Sequence, residues 1–412
     1  MRALLRKLLY TDSWLSKVLY QIIYQKWITR YKSKKDFIFF NNVEEFIDSG
    51  NLMEYSPCQK VVFKAPFGKD KTGLPNLFKF YLDQGEISLD KEEVCIFSKA
   101  YLLGNEAVGV DEGGRIISDT ALDEPVVLHK CNPRLIMNYD EVPSDLSFDW
   151  CCSLVNIFSS NTYSNYFHWL TDSLILIQAV KYLENTLGQK IRLIVPKNRT
   201  KYQNEYLRFL GYESEQLIEW NYKKVEVNNL VVVKSRRIGI NRDEVISPLG
   251  LNWLKTSVLP SVSLKDKYGE NIFIVRKGNV ARKIINQKEL VNELSIKGYQ
   301  FVDLDTLNVS SQIALFYHAK NIISAHGAGL VNMIFSNKGT RVIELLGNLD
   351  NENDYYWYAA YFSLANVLGH QYSYLKCETF PIHKDRSKMR QLYDIKVDIS
   401  SLNELLDHRV DA

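Results

Sequence analysis

From residue 271 to residue 375 the chain alternates short apolar runs with helix-periodic segments, and that alternation admits few folds. The runs are "NIFIVRK" (271–277), "YQFVDL" (299–304), "NIISA" (321–325), "RVIELL" (341–346) and "QYSYL" (371–375). Between them the spacing predicts helices from Asn286 to about Lys297, over 310–319, over 330–336 and over 355–368, the last stopped by Gly369. Asn286 with Glu289 three residues on reads as a capping box. Strands separated each time by a helix make a parallel, doubly wound sheet, and ligands of such sheets lie beyond the carboxyl ends of the strands.

The same rhythm begins near residue 151. "NYFHWLTDSLILIQAVKYLE" is helix-periodic, "IRLIVP" a strand, "NEYLRFLGY" a helix ending near Gly211, and "NLVVVK" a strand. Residues 37–150 differ. Stretches such as "KVVFKAP" and "PVVLHK" stand between Gly-rich and acidic turns like "DEGGR", which predicts mostly strand and loop. With 412 residues, 46% of them hydrophobic, the chain is long enough for two domains.

The net charge is only +3, so nothing global calls for nucleic acid, but residues 1–35 carry nine Lys/Arg against one Asp. In that segment Leu15, Val18, Leu19, Ile22 and Ile23 share one helical face, with Trp14 and Trp27 nearby. Lys17 and Lys26 interrupt it too often for a membrane-spanning helix. Two readings stand: a basic amphipathic helix lying on an anionic membrane surface, or a helix packed on the body of the protein. No cleavable secretory signal is recognisable. The six cysteines (58, 95, 131, 151, 152 and 377) show neither a CxxC pair nor disulfide-framework spacing, which suits a reducing cytoplasm.

The turn "SAHGAGLVNMIF" (324–335) follows the third strand of the C-terminal series. His326, Gly327, Ala328 and Gly329 therefore fall at the carboxyl edge of the sheet. Glycine there lets a ligand approach the backbone, the next helix start offers unpaired amides to an anion, and His326 can donate to a phosphate. The alternative is a tight turn with a satisfied core histidine. The turn lacks the GxGxxG spacing of dinucleotide sites. At another strand end Arg276 and Lys277, followed by Arg282, bring cations to the same edge. Glu344, within "RVIELL", suits a ribose or sugar diol, or a structural ion pair. "DLD" (303–305) has metal-binding spacing, but it runs straight into a helix, so Asp305 or Thr306 is expected to decorate the helix start.

"NYFHWLTD", "VRKGNVARKIINQKEL", "SAHGAGLVNMIF" and "RVIELLG", followed by "YYWYAAYFSLANVLGHQY", occur in the order seen in glycosyltransferase family 61, which residues 150–375 resemble. The resemblance implies an α/β fold of GT-B-like type, with two Rossmann-like lobes facing a cleft and a strand-rich N-terminal region before them. It implies an inverting transferase that moves a sugar from a nucleotide sugar to a glycan or lipid-linked glycan, similar to bacterial members that assemble capsule or surface polysaccharide. The domains are then residues 1–35, a basic segment; 36–255, an acceptor lobe; 256–376, a nucleotide-sugar-binding lobe; and 377–412, a tail. The location is cytoplasmic, peripheral on the inner membrane face if residues 1–35 bind it.

On this resemblance, Arg276, Lys277, Arg282 and the turn His326–Gly329 hold the donor diphosphate, Glu344 lies by the ribose, and Asn332 faces the donor. No metal or other cofactor is called for, since cations and helix-start amides neutralise the diphosphate. His168 and Asp172, four apart on one helix, sit across the cleft. Asp172 is expected as the general base, with His168 orienting it or binding the acceptor. Two rival readings are a nucleotide-dependent oxidoreductase, which wants the Gly-rich fingerprint, and a non-catalytic glycan-binding protein, which would use the 25 Tyr and 7 Trp for stacking.

Overall fold

The computed structural model describes residues 39–40, 52–68, 74–120, 135, 139–144, 146–156, 158–161, 164–234, 237–240, 243–265, 268–276, 282–347, 359–381 and 393–408. The basic segment 1–35, the run "PVVLHK" and Lys277 lie outside them.

The five C-terminal strands form one parallel sheet in the spatial order Tyr299–Asp303, Asn271–Val275, Asn321–Ala325, Arg341–Gly347, Gln371–Pro381, and Tyr393–Lys396 adds an antiparallel edge. The three central strands, Asn271–Val275, Asn321–Ala325 and Arg341–Gly347, are buried along almost their whole length and are mostly apolar, as expected of parallel strands covered on both faces. The chain leaves the first strand to one side and returns to the other, so the order reverses between Asn271–Val275 and Asn321–Ala325. A crevice opens at such a reversal, beyond the carboxyl ends. Arg276 and His326 are the first residues past those two ends.

A second six-stranded sheet repeats the principle. Leu217–Trp220, Arg192–Pro196, Cys151–Ser153 and Leu230–Val233 run parallel in that order; Glu92–Phe97 pairs antiparallel with the last of them, and Leu52–Ser56 pairs antiparallel with Glu92–Phe97. Its order reverses beside Cys151–Ser153, the strand that leads towards the helix carrying His168. A third, mostly antiparallel sheet includes Ala100–Leu103, Val108–Asp111 and Lys224–Val227.

One apolar core runs through both parallel sheets, from Leu154, Leu193 and Val231 to Ile272, Ile322 and Val342, with Trp169 and Phe335 fully buried within it. Residues 61–68 and 74–84 pack over the C-terminal sheet and its helix Ala359–Leu368. Phe78 stacks on Phe362 at 4.4 Å, the Lys64 amide donates to Asn366, and Phe67 exchanges hydrogen bonds with Tyr372 and Ser373. The strand Gln371–Pro381 runs through the boundary expected at 376, and Tyr393, Ile395, Leu402 and Leu405 fill a core with Phe273 and Ile343. Among the described residues no helix is long and apolar enough to cross a membrane.

Three local expectations change. The helix expected over 330–336 is a 3-10 helix, Ala328–Phe335. Asn286 does not cap the helix Gln287–Ile296; its amide instead donates to the Val397 carbonyl at 2.8 Å and accepts from the Val397 N–H at 3.0 Å, tying down the C-terminal segment. At "DLD" the capping residue is Asp303, whose carboxylate accepts from the Asp305 N–H at the start of the 3-10 helix Leu304–Thr306.

Candidate active site

The segment from Tyr166 to Leu187 reads as one helix but is built in four pieces: α-helix Tyr166–His168, a π turn over Trp169–Ser173, a 3-10 turn Leu174–Leu176, and α-helix Ile177–Leu187. Its polar residues explain the irregularity. Ser173 donates to the Leu154 carbonyl and shares hydrogen bonds with Asn156 and Ser159, while the Thr171 hydroxyl bonds back to the Phe167 carbonyl. Such bonds compete with the regular helical ladder, and π turns recur at functional sites. Asn165 caps the start through the Phe167 N–H. Phe167, Leu170, Leu174 and Ile177 are buried, and so are Trp169, Thr171, Asp172 and Ser173, so the segment is enclosed all round.

The π turn presents the first candidate pair. His168 Nδ1 lies 2.7 Å from Asp172 Oδ2, Phe158 stacks flat on the imidazole at 3.9 Å, and the Thr171 hydroxyl divides its one proton between the Phe167 carbonyl and Asp172 Oδ1, 3.0 Å away. The Asp172 side chain is 0% exposed and that of His168 10%. Asp172, expected from the sequence to meet the acceptor hydroxyl, is closed off from solvent in this structure. Asp172 holds the His168 imidazole through Nδ1.

The second pair lies at the reversal of the C-terminal sheet. Register places Ser324 beside Glu344 on adjacent parallel strands, which brings His326, just past the strand end, over the carboxylate. His326 Nδ1 is 2.6 Å from Glu344 Oε1, and the Tyr372 hydroxyl donates to Oε2 at 2.6 Å. Glu344 is 0% exposed. That enclosure is at odds with the ribose contact expected of it: a carboxylate closed off from solvent and held on both oxygens serves the protein, here by fixing His326.

Arg276 donates to the His326 carbonyl at 3.1 Å. Burial, and then the charge of Arg282, pull its guanidinium down to about 10. Arg282 itself has a left-handed backbone, φ +64°, and its N–H donates to the Tyr393 carbonyl at 2.7 Å. The glycines of the turn have separate reasons. Gly327 is extended, so its backbone would suit any residue, but a Cβ there would run into Arg276 Nη1. At Gly329 a Cβ would come within 2.6 Å of Leu304 Cδ1, a packing constraint. Ala328 opens the 3-10 helix between them.

Asn332, expected to face the donor, is fully buried between the sheets instead. Its Oδ1 accepts from Tyr166 at 2.6 Å and its amide donates to Gln312 at 3.0 Å.

Tyr361, which sequence reasoning passed over, and Phe167 complete the arrangement. Tyr361 donates to the Gly327 carbonyl at 2.7 Å and sets its ring against His326 at 5.3 Å; Phe167 meets Tyr361 edge-on at 5.7 Å and His168 at 5.3 Å. Burial first, and Glu344 next, push the Tyr361 hydroxyl far above its ordinary range, so it remains a donor. The two histidine–carboxylate pairs, one from each parallel sheet, are thus joined through Phe167 and Tyr361. Only the run "YYWYAAYFSL" hinted at Tyr361, and nothing distinguished it from its aromatic neighbours.

Residues 166–343 match the family model Glycosyltransferase 61. The matched span opens on Tyr166, two residues before His168, and closes on Ile343, one before Glu344, so it contains Asp172, Arg276, Arg282 and the His326 turn. A search of curated proteins finds no match to the chain. The family match supports a glycosyltransferase, an enzyme that binds a sugar donor and a glycan acceptor.

Proposed function

We propose that the protein is an inverting glycosyltransferase with a GT-B-like arrangement, acting on a nucleotide-sugar donor at the junction of its two parallel sheets. The observation that carries this reading is the convergence of the His168–Asp172 pair with Arg276, Arg282 and the His326–Gly329 turn around the Phe167–Tyr361 contact. Arg276, Arg282 and the amides of the turn receive the donor diphosphate, and their positive charge does the work that a metal ion does elsewhere. His168 is the base. Its Nε2 takes the proton of the acceptor hydroxyl as that oxygen attacks the anomeric carbon; the bond from that carbon to the diphosphate oxygen breaks, and its electron pair leaves with the diphosphate.

The acceptor in this reading is a glycan or lipid-linked glycan of bacterial surface polysaccharide synthesis, supported by the motif order across residues 150–375 and by the basic residues of segment 1–35, which suit a peripheral place on the inner membrane face. Calorimetric titration with UDP, GDP, dTDP and ADP tests the donor site, and NMR of the product anomer tests inversion. Turnover in EDTA equal to that without it is expected. Binding of none of the four nucleotides would overturn the reading. Deleting residues 1–35 should release the protein from anionic vesicles in a sedimentation assay.

A further inference from the structure

The second histidine–carboxylate pair has no part in the proton transfer just described, yet it is built as tightly as the first. Resting on the transferase reading, we infer that His326 is the general acid of the reaction, giving its Nε2 proton to the diphosphate oxygen as the bond to the sugar breaks.

Glu344 is enclosed, and its two oxygens are divided between His326 Nδ1 and the Tyr372 hydroxyl, each at 2.6 Å. Of the two ring nitrogens, Nδ1 is committed to this buried carboxylate, so any contact with the donor uses Nε2. In the form that carries both protons the ring gives one to Glu344 and offers the other to the donor. Among the described residues, the charged and titratable groups around it include Glu344 and Tyr372 from neighbouring strands, Tyr361 from the helix Ala359–Leu368, Arg276 through the His326 carbonyl, and Arg282, whose charge is felt at Arg276. The cations place the diphosphate, and His326 beside them is the proton carrier. The balance closes: the acceptor proton goes to His168, the electron pair of the broken bond goes to the diphosphate oxygen, and that oxygen takes a proton from His326.

Tyr372 is fixed in turn by the N-terminal segment, since Phe78 meets its ring edge-on at 6.0 Å and the Phe67 N–H donates to its carbonyl at 3.0 Å. Glu344 and Tyr372 are positioning residues in this scheme. Their effects have opposite signs. Removing the carboxylate makes the doubly protonated ring harder to hold, whereas removing the Tyr372 hydroxyl leaves the carboxylate's charge undivided and makes that ring easier to hold.

The experiment follows release of nucleoside diphosphate into water from UDP-, GDP-, dTDP- and ADP-sugars, across pH, using the full chain. His326→Gln should lower turnover about a hundredfold or more, with diphosphate affinity changed less than about tenfold, and should erase the fall in rate at alkaline pH. Glu344→Gln should move that alkaline fall to lower pH and Tyr372→Phe to higher pH; thermal melting identifies the variants that remain folded. An alkaline fall that persists in His326→Gln, or stays in place in folded Glu344→Gln and Tyr372→Phe, overturns the acid assignment while leaving the transferase intact. If the unmodified protein binds and cleaves none of the four donors, the transferase reading fails, and this inference with it.

Discussion

His168 and Asp172 meet at 2.7 Å across a π turn, with the carboxylate sealed from solvent and the imidazole side chain 10% exposed. Replacing either should separate chemistry from binding. His168→Gln is expected to cut turnover by about a hundredfold to ten-thousandfold, and Asp172→Asn by a similar or smaller factor, because an amide at 172 no longer selects the ring tautomer. Nucleoside diphosphate affinity should stay within about twofold of the unmodified protein in both, as the donor cations lie on the other sheet. Single-turnover rates beside calorimetric titrations give the answer; parallel losses in rate and affinity would mean that His168 holds the donor.

The turn at Gly327 makes a second prediction. Because a Cβ there would collide with the Arg276 guanidinium, Gly327→Ala should mimic Arg276→Ala. Each should cost roughly 1.5–3 kcal/mol of diphosphate binding, about ten- to a hundredfold in affinity. The same change at Gly329 presses on Leu304 in the core and should appear chiefly as a lower melting temperature. Calorimetry and thermal melts on the three variants check the contrast.

How far the sequence could be read depended on where each residue's role is decided. The five parallel C-terminal strands are legible, because an apolar run such as "NIISA" between helix-periodic stretches has one sensible conformation, and the strand ends at Arg276 and His326 follow from it; the antiparallel edge strand Tyr393–Lys396 falls in what reads as a tail. The π turn was hidden, since α and π segments share their apolar periodicity and only the hydrogen bonds of Ser173 and Thr171 to distant or local backbone distinguish them. Glu344 and Asn332 were assigned to the donor because a polar residue in an apolar run signals function or structure equally well; what decides is the partner, Tyr372 for one and Tyr166 for the other. Lys64 and Asn366 are 302 positions apart, and no local pattern predicts their contact.

The junction between the sheets should be stiff. Tyr166 donates to Asn332 at 2.6 Å, so the Tyr206 hydroxyl, 2.8 Å away, donates to Tyr166, and Asn332 passes the chain on to Gln312 at 3.0 Å. Tyr166→Phe or Asn332→Leu leaves a buried polar partner unsatisfied and should cost about 1–3 kcal/mol of stability each. The double variant should cost less than the sum, because the second change removes the group that the first stranded. Urea denaturation of the four proteins measures this coupling, and strict additivity would show that the chain of hydrogen bonds does not join the sheets energetically.

Stability should also fall in mild acid through a residue far from the chemistry. His370 is buried beneath the 3-10 helix, with Nε2 at 2.9 Å from the Met333 carbonyl. Burial pulls its imidazole down from 6.5 to about 4; the Met333 carbonyl works against that shift and the charge of Lys255 with it. The sign follows from proton counting. Between about 6.5 and about 4 the unfolded chain binds a proton at this position that the folded chain refuses, so stability present at neutral pH is lost as pH falls through that window. The loss from this group between pH 7 and pH 5 is roughly 2 kcal/mol. His370→Gln, which keeps an N–H for the Met333 carbonyl and does not titrate, should therefore be less acid-sensitive than the unmodified protein by about that amount. Urea midpoints at the two pH values provide the comparison, and equal acid losses in both proteins would show that His370 takes up its proton without unfolding.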